Sequence, residues 1–251
     1  PEAIFERLVN HLKELKIENI YLLTDSEDEQ ERFSKYIKKK NWEGVYCFYI
    51  KEQGTGNTLL SFKEENKDKL KENFLIIAGD SIFEKKEEEV KEVFKNFIEE
   101  GKKLIQNKNA RIVRGIIQLE NYKGGKESLI NQTKCKIDKN NIVISARKKC
   151  EPEKNEKLFT SLILVTPEIF QLLDDFKEKN NEFDIHDLRF TKFLIEKGVL
   201  YASTLNIYYF NINTPEDLSN YYIFEKKESI GEELKKSIRE DSQTKEKDKL
   251  K

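Results

Sequence analysis

No methionine occurs among the 251 residues, and proline stands first. A chain of this length ordinarily carries several methionines. Either this is an excised piece of a longer protein, or its methionines are a modified residue not written among the standard letters; local spacings could then be off by one. Cysteine and histidine are almost as scarce. Cys47, Cys135 and Cys150 share no CxxC spacing, and with His11 and His186 they make no zinc set. Their odd number fits reduced, structural thiols in a cytoplasmic protein. No apolar run approaches the ~18–20 residues of a membrane span, and the start carries no signal-peptide pattern. Neither sign of charge is in excess: 46 basic against 47 acidic residues leave a net charge of −1. That balance argues against an electrostatic nucleic-acid binder.

What is present is a heavily salted chain with enough apolar residues to fold. Charged residues make up 37%, yet 16 Phe and 10 Tyr among many Ile and Leu argue against disorder over most of the length. The patterning alternates. Residues 2–15 put Ile4, Phe5, Leu8, Leu12 and Leu15 on one helical stripe. A short apolar run at 19–24 reads as a strand, and 27–40 as a polar helix with acids early and lysines late. A strand at 45–50 leads through KEQGTGNTLL into a helix reaching about Leu70. Residues 73–80, NFLIIAGD, are an apolar strand ending in Gly79–Asp80, then comes a charged helix over about 85–106 and a strand at 110–118. Within 119–157 only 141–147 has strand character. Residues 158–176 read as a strand entering a helix with Pro167 at its first position, and 185–198 as a helix ended by Gly198. Two further strands precede NTPEDL, where Asn213 or Thr214 caps a helix begun by Pro215. From about 226 the sequence is charged, a frayed helix or disorder.

This alternation predicts an α/β three-layer, Rossmann-like sandwich with a mostly parallel mixed sheet over 1–224, followed by a charged tail over 225–251. Ligands in such sheets sit at the carboxyl ends of the strands. Three marked spots fall there: Gly54–Gly56, Gly79–Asp80 and Asn211–Pro215. The glycine loop lacks the Lys-Ser/Thr of a P-loop and the third glycine of a dinucleotide fingerprint, so a plain turn is its rival reading. Asp80 suits Mg²⁺, which takes one or two carboxylates and completes its shell with phosphates and water. The rival there is an Asp capping a helix soon after Ser81.

The order EQGTGNTLL, FLIIAGDSIF, SLILVTPEIF, YYFNINTPEDL resembles the sugar-phosphate nucleotidyltransferases over about residues 1–224. The resemblance implies that this chain transfers a nucleoside monophosphate from a nucleoside triphosphate to a sugar or polyol phosphate, releasing pyrophosphate. It implies Gly54, Thr55, Gly56 and Gly79 against the nucleotide, catalytic Asp80 as a Mg²⁺ ligand, and Asn211 where the family's second metal-binding Asp stands. Lys149, or its neighbour Lys148 in RKKCEP, stands loosely where the family's sugar-side lysine meets a phosphate; solvated loop lysines are the alternative. The family's Gly-rich loop, with its Arg and Lys, is expected upstream of Pro1. Its strand would lie between 19–24 and 73–80, and without it two buried edges stay unpaired. His186 is expected to be a surface or capping residue. The competing reading is a nucleotidyltransferase-like domain without catalysis, serving as a regulatory or assembly subunit; a third is another nucleotide-binding α/β enzyme. Nothing in the residues fixes the nucleotide, the acceptor or the oligomeric state, and a homo-oligomer stays open.

Overall fold

A computed structural model describes residues 4–52, 54–66, 69–178, 180 and 184–228. In chain order the elements are α1 (Ile4–Glu14), β1 (Ile20–Thr24), α2 (Glu27–Lys40), β2 (Val45–Tyr49), α3 (Thr55–Glu65), β3 (Phe74–Ile76), β4 (Ser81–Lys85) and α4 (Val90–Lys108). Then follow β5 (Ile112–Gln118), α5 (Lys126–Asn131), β6 (Lys134–Ile137), β7 (Val143–Arg147), β8 (Lys157–Val165), α6 (Ile169–Lys177), α7 (Leu188–Glu196), β9 (Leu200–Thr204), β10 (Ile207–Asn211) and a helix over 215–228, here α8.

Local chemistry explains the elements that the sequence predicts well. The Ser26 side chain accepts from the Glu29 N–H, three acids occupy the first turn of α2 and three lysines its last, and Asn41 closes it at φ 50°. Thr214 starts α8: its hydroxyl accepts from the Asp217 N–H (3.1 Å), while Asp217 Oδ2 accepts from the Thr214 N–H (3.0 Å).

The sheet is mixed. β8 lies at its centre, antiparallel to β5 along one edge and to β6 and β3 in turn along the other. β9 runs parallel to β5, and β7 antiparallel to β6. Four of the six strands (β3, β5, β6, β9) therefore point one way, with β7 and β8 opposed. Apart from Arg114, β5 is apolar on both faces, as in a covered sheet. Ile112 and Ile116 face a core shared with α3, α6 and α7, and Val113 and Ile117 face one shared with α1 and α4. β1 and β2 pair in parallel apart from this sheet, and β4 pairs with β10 as a separate antiparallel ribbon. Among the described residues no strand pairs with the second edge of β1 or of β3. Both line one cavity of 1640 Å³, through residues 19–24 and 73–80.

Several boundaries differ from the expectation. A strand, β4, follows Asp80, and the charged helix begins only at Val90. Ser81, Ile82 and Phe83 are all buried, and five residues carry too little periodicity to distinguish strand from helix until β10 supplies the partner. The Lys- and Asn-rich stretch holds α5 and β6 as well as β7. α3 ends at Glu65 rather than near Leu70. α8 continues through 228, past the expected boundary at 224; the rest of the tail lies outside the described residues. No described helix is long and apolar enough to cross a membrane, and the three cysteines are free.

Candidate active site

The ribbon of β4 and β10 brings together two residues 131 positions apart. Its register sets Asn211 opposite Ser81, and the Ile212 N–H donates to the Asp80 carbonyl at 2.9 Å. The Asn211 amide is oriented by its neighbours. Its nitrogen faces the Asp80 carboxylate (3.0 Å to Oδ2, 3.2 Å to Oδ1), and its oxygen accepts from Gln132 Nε2 and Asn213 Nδ2, both at 2.8 Å. Burial raises the Asp80 carboxyl above the ordinary carboxylate range and Asp184 adds to it, against opposing hydrogen bonds from its own backbone N–H and the Ser81 hydroxyl. Because a strand follows, Asp80 caps no helix.

Gln132 is held by a device that the sequence does not announce. The fully buried Lys134 side chain donates to the carbonyls of Leu129 and Ile130 (2.6 Å each) and Gln132 (2.9 Å), closing the end of α5. The start of α5 is tied to the β10–α8 corner. The buried Asp217 carboxylate accepts from the Gly125 N–H (2.7 Å), the Ser128 hydroxyl (2.6 Å) and the Asn213 N–H (3.2 Å). Burial pushes Asp217 upward, but these donors outweigh it and hold the carboxyl below its usual range.

The glycine loop opens α3. Gly54 sits at φ 83°, a conformation that favours glycine, as the residue before the first helical turn. The Thr55 hydroxyl donates to Asp184 Oδ1 (2.7 Å) and accepts from the Ile185 N–H (3.0 Å), pinning the loop to the segment ahead of α7. Gly54 and Thr55 line the cavity. Gly56 does not: it is buried inside the first turn of α3, where the helix turns it away. Gly79 lines the cavity beside Asp80, and a Cβ there would meet nothing within 4 Å, so the space beside it is open.

Lys148 and Lys149 also reach the cavity wall, Lys149 from a left-handed turn at φ 59°. Two lining residues were not expected. Arg114 projects from β5, and His186 bonds it through Nδ1 at 2.7 Å instead of lying on the surface or capping a helix, a role taken by Asp187. An arginine flanked by Val113 and Gly115 in an otherwise apolar strand was the available signal.

Asp80, Asn211, Gly79, Gly54, Thr55 and Lys149 thus converge on one cavity at the carboxyl end of β3. The donor set suits Mg²⁺ in part. One carboxylate is available, and one or two plus phosphate oxygens suffice for this ion. Asn211 would have to turn its amide over to offer oxygen, since its nitrogen now faces Asp80. Among the described residues no cluster of three or more His, Cys, Asp or Glu could hold a metal without help from a substrate.

No family model and no curated protein sequence matches the chain. Solved structures do. The inositol-1-phosphate CTP transferase from T. maritima superposes with a TM-score of 0.62 at 16% identity, over 85% of this chain and 78% of that one. The chain has the fold of the sugar-phosphate nucleotidyltransferases. A Bacillus anthracis protein described as a glucose-1-phosphate thymidylyltransferase, in complex with a sucrose, gives 0.63 at 13% identity, over 87% of this chain and 82% of that one. HddC from Yersinia pseudotuberculosis, complexed with GMP-PN, gives 0.58 at 17%, over 90% and 87%. At these identities the likeness concerns architecture, and residue roles rest on the geometry above.

Proposed function

We propose that the chain is the catalytic module of a nucleotidyltransferase joining a nucleoside triphosphate to a sugar or polyol phosphate with release of pyrophosphate. The observation that carries this reading is the Asp80–Asn211 contact, built from two distant segments at the strand ends of a nucleotidyltransferase fold and opening on a large cavity.

In the proposed reaction an oxygen of the acceptor phosphate attacks the α-phosphorus. The bond to the bridging oxygen breaks and pyrophosphate leaves with its electron pair. Such transfer needs positioning and charge neutralisation more than covalent help. Gly54 and Thr55 form the wall for the base, in a loop held still by Asp184. The Gly79 backbone lies alongside the nucleotide with room for it. Asp80 would hold Mg²⁺, with Asn211 as a neutral oxygen donor once its amide rotates, and the ion would supply charge neutralisation for the phosphates. Lys149, with Lys148 beside it, faces the acceptor phosphate across the cavity. The open edges of β1 and β3 would take one additional strand of the complete protein, satisfying backbone groups on both sides.

The test is to incubate the complete protein with each nucleoside triphosphate, Mg²⁺ and a panel of sugar and polyol phosphates, and to measure pyrophosphate. Release with one pairing is the expected result. A folded sample that releases none with any pairing returns the chain to a non-catalytic, nucleotidyltransferase-like role.

A further inference from the structure

Arg114 carries a buried positive charge that nothing in the described structure neutralises. It is 4% exposed and sits between Ile112 and Ile116 on the same face of β5. Its guanidinium lies 4.4 Å from the ring centre of Phe159. Nη2 bonds His186 Nδ1 at 2.7 Å, Nη1 reaches Thr191 Oγ1 only at 3.5 Å, and Nε has no partner. Asp184 is the nearby acid, but it is exposed, and its Oδ1 accepts from both the Thr55 hydroxyl and the His186 N–H. Buried guanidinium groups are normally paired with a carboxylate or phosphate, because leaving one unpaired in a poorly hydrated site is costly. Burial lowers the group only to about 10, so it stays charged at neutral pH.

The local backbone aims this charge. The register of β5 against β8 shifts opposite Gly115: three residues of β8, Thr160 to Leu162, face this one, while β5 stays in continuous register with β9. A Cβ at Gly115 would meet Thr160 Oγ1 at 2.7 Å and Leu205 Cδ1 at 2.8 Å, so the tight approach requires glycine. In register with β9, β5 keeps its regular alternation, and Arg114 points to the face of Ile112 and Ile116. Arg114 is directed into the cavity that holds Asp80, though not onto Asp80 itself. Arg114 and Ile76 both pair with Ile163, which puts them level, two strand spacings or about 10 Å apart. Asp80 lies four residues further along, up to about 13 Å. The two residues therefore line the cavity at separate points, up to about 16 Å apart along the backbone framework.

We propose that Arg114 is a specificity residue that binds a second anionic group, a carboxylate or a second phosphate, on the acceptor at the end away from the reacting phosphate. The inference rests on the transfer reading for the word acceptor, and on the buried guanidinium alone for the anion. His186 acts as a positioning residue, accepting from the guanidinium through a neutral ring.

The experiment compares glucose 1-phosphate, glucuronic acid 1-phosphate and glucose 1,6-bisphosphate, by calorimetric titration and by pyrophosphate release, on the complete protein and on Arg114→Met and Arg114→Lys. At least one of the two ligands with a second anionic group should bind the wild type about tenfold or more tightly than glucose 1-phosphate. Arg114→Met should bring that ratio near one, and Arg114→Lys should restore part of it. A wild type with no preference, or with no binding of any of the three, overturns the proposal even if Arg114→Met fails to fold. So does a preference that survives in a folded Arg114→Met. A preference that Arg114→Met removes, without pyrophosphate release for any nucleotide, keeps the anion site and sinks the transfer reading.

Discussion

Asp80 concentrates the tension between stability and activity at the scale of one residue. Its folded-state proton affinity exceeds that of an exposed Asp because burial, then Asp184, disfavour the charge. A carboxyl raised in this way releases its proton in the unfolded chain first. Stability therefore falls as pH rises from the unfolded value through the folded one, and the ionised group opposes folding at neutral pH. Asp80→Asn should raise the melting temperature at pH 7 by a few degrees while cutting pyrophosphate release by about 10²–10³ or more. Scanning calorimetry beside the release assay checks both halves; an unchanged rate removes Asp80 from the chemistry. His186 works in the opposite direction. Burial, then Arg114, lower it to about 3, against 6.5 for a free histidine. The unfolded chain gains a proton on this group below about pH 6.5 while the folded chain does not, so stability drops as the pH falls. Urea unfolding at pH 7 and pH 5 should show a loss of about 1–2 kcal/mol from this residue, absent in His186→Gln. Asp80 and Asn211 could be singled out in the sequence because they end apolar runs at strand ends, while the roles proposed for them come from the resemblance. His186 was not, since only the tertiary placement of Arg114 takes an imidazole off the surface and fixes its hydrogen bond.

Local signals determined which elements could be read in advance. α2 carries its own cap, dipole charges and left-handed Asn, so its limits, Glu27–Lys40, agree with sequence alone. β4 and β6 have no such marks: four or five residues acquire strand geometry from β10 and β8, partners more than a hundred and about twenty positions away. The irregularity of β8 opposite Gly115 belongs with these. GIIQ reads as an ordinary strand, and only the packed structure reveals Thr160 and Leu205 pressed against Gly115. Gly115→Ala should cost about 1–3 kcal/mol in urea unfolding, through overpacking against a neighbouring strand. It should also weaken whatever binds at Arg114, because relieving the contact with Thr160 and Leu205 displaces β5 next to that side chain. An alanine variant of wild-type stability would show that the backbone can relax there.

At the scale of the whole molecule, the two expectations about the sheet meet. Alternating strands and helices foretold the layers, and the pairing pattern adds a division that the layers hide. β1, β2 and α2 share a small core with one face of α1, in which Val9, Ile20, Ile37 and Val45 are the buried members. Across the cavity, β3 is joined to the main sheet by only three paired residues. The strand expected at 73–80 is apolar throughout its core, yet all three residues of β3 are only half-buried, because its second edge faces the cavity. Main-chain hydrogen bonds bind β1 to β2 and β3 to β8, and among the described residues none bridges β1 to β3. Elements with few buried contacts and an open edge open at lower free energy than the global transition. Hydrogen exchange on this chain should therefore show the amides of β1, β2 and α2 exchanging as one unit, a few kcal/mol below those of β5 and β8, with Phe74–Ile76 between. Supplying the expected strand as part of a longer chain should protect the β1 and β3 amides together and merge the two transitions into one. Its backbone groups would pair on both edges, and the two halves of the nucleotide site, Gly54–Thr55 on one side and Gly79–Asp80 on the other, would be held at a fixed separation. If β1 already exchanges as slowly as β5 without it, the slot is closed by other means and the missing-strand reading fails.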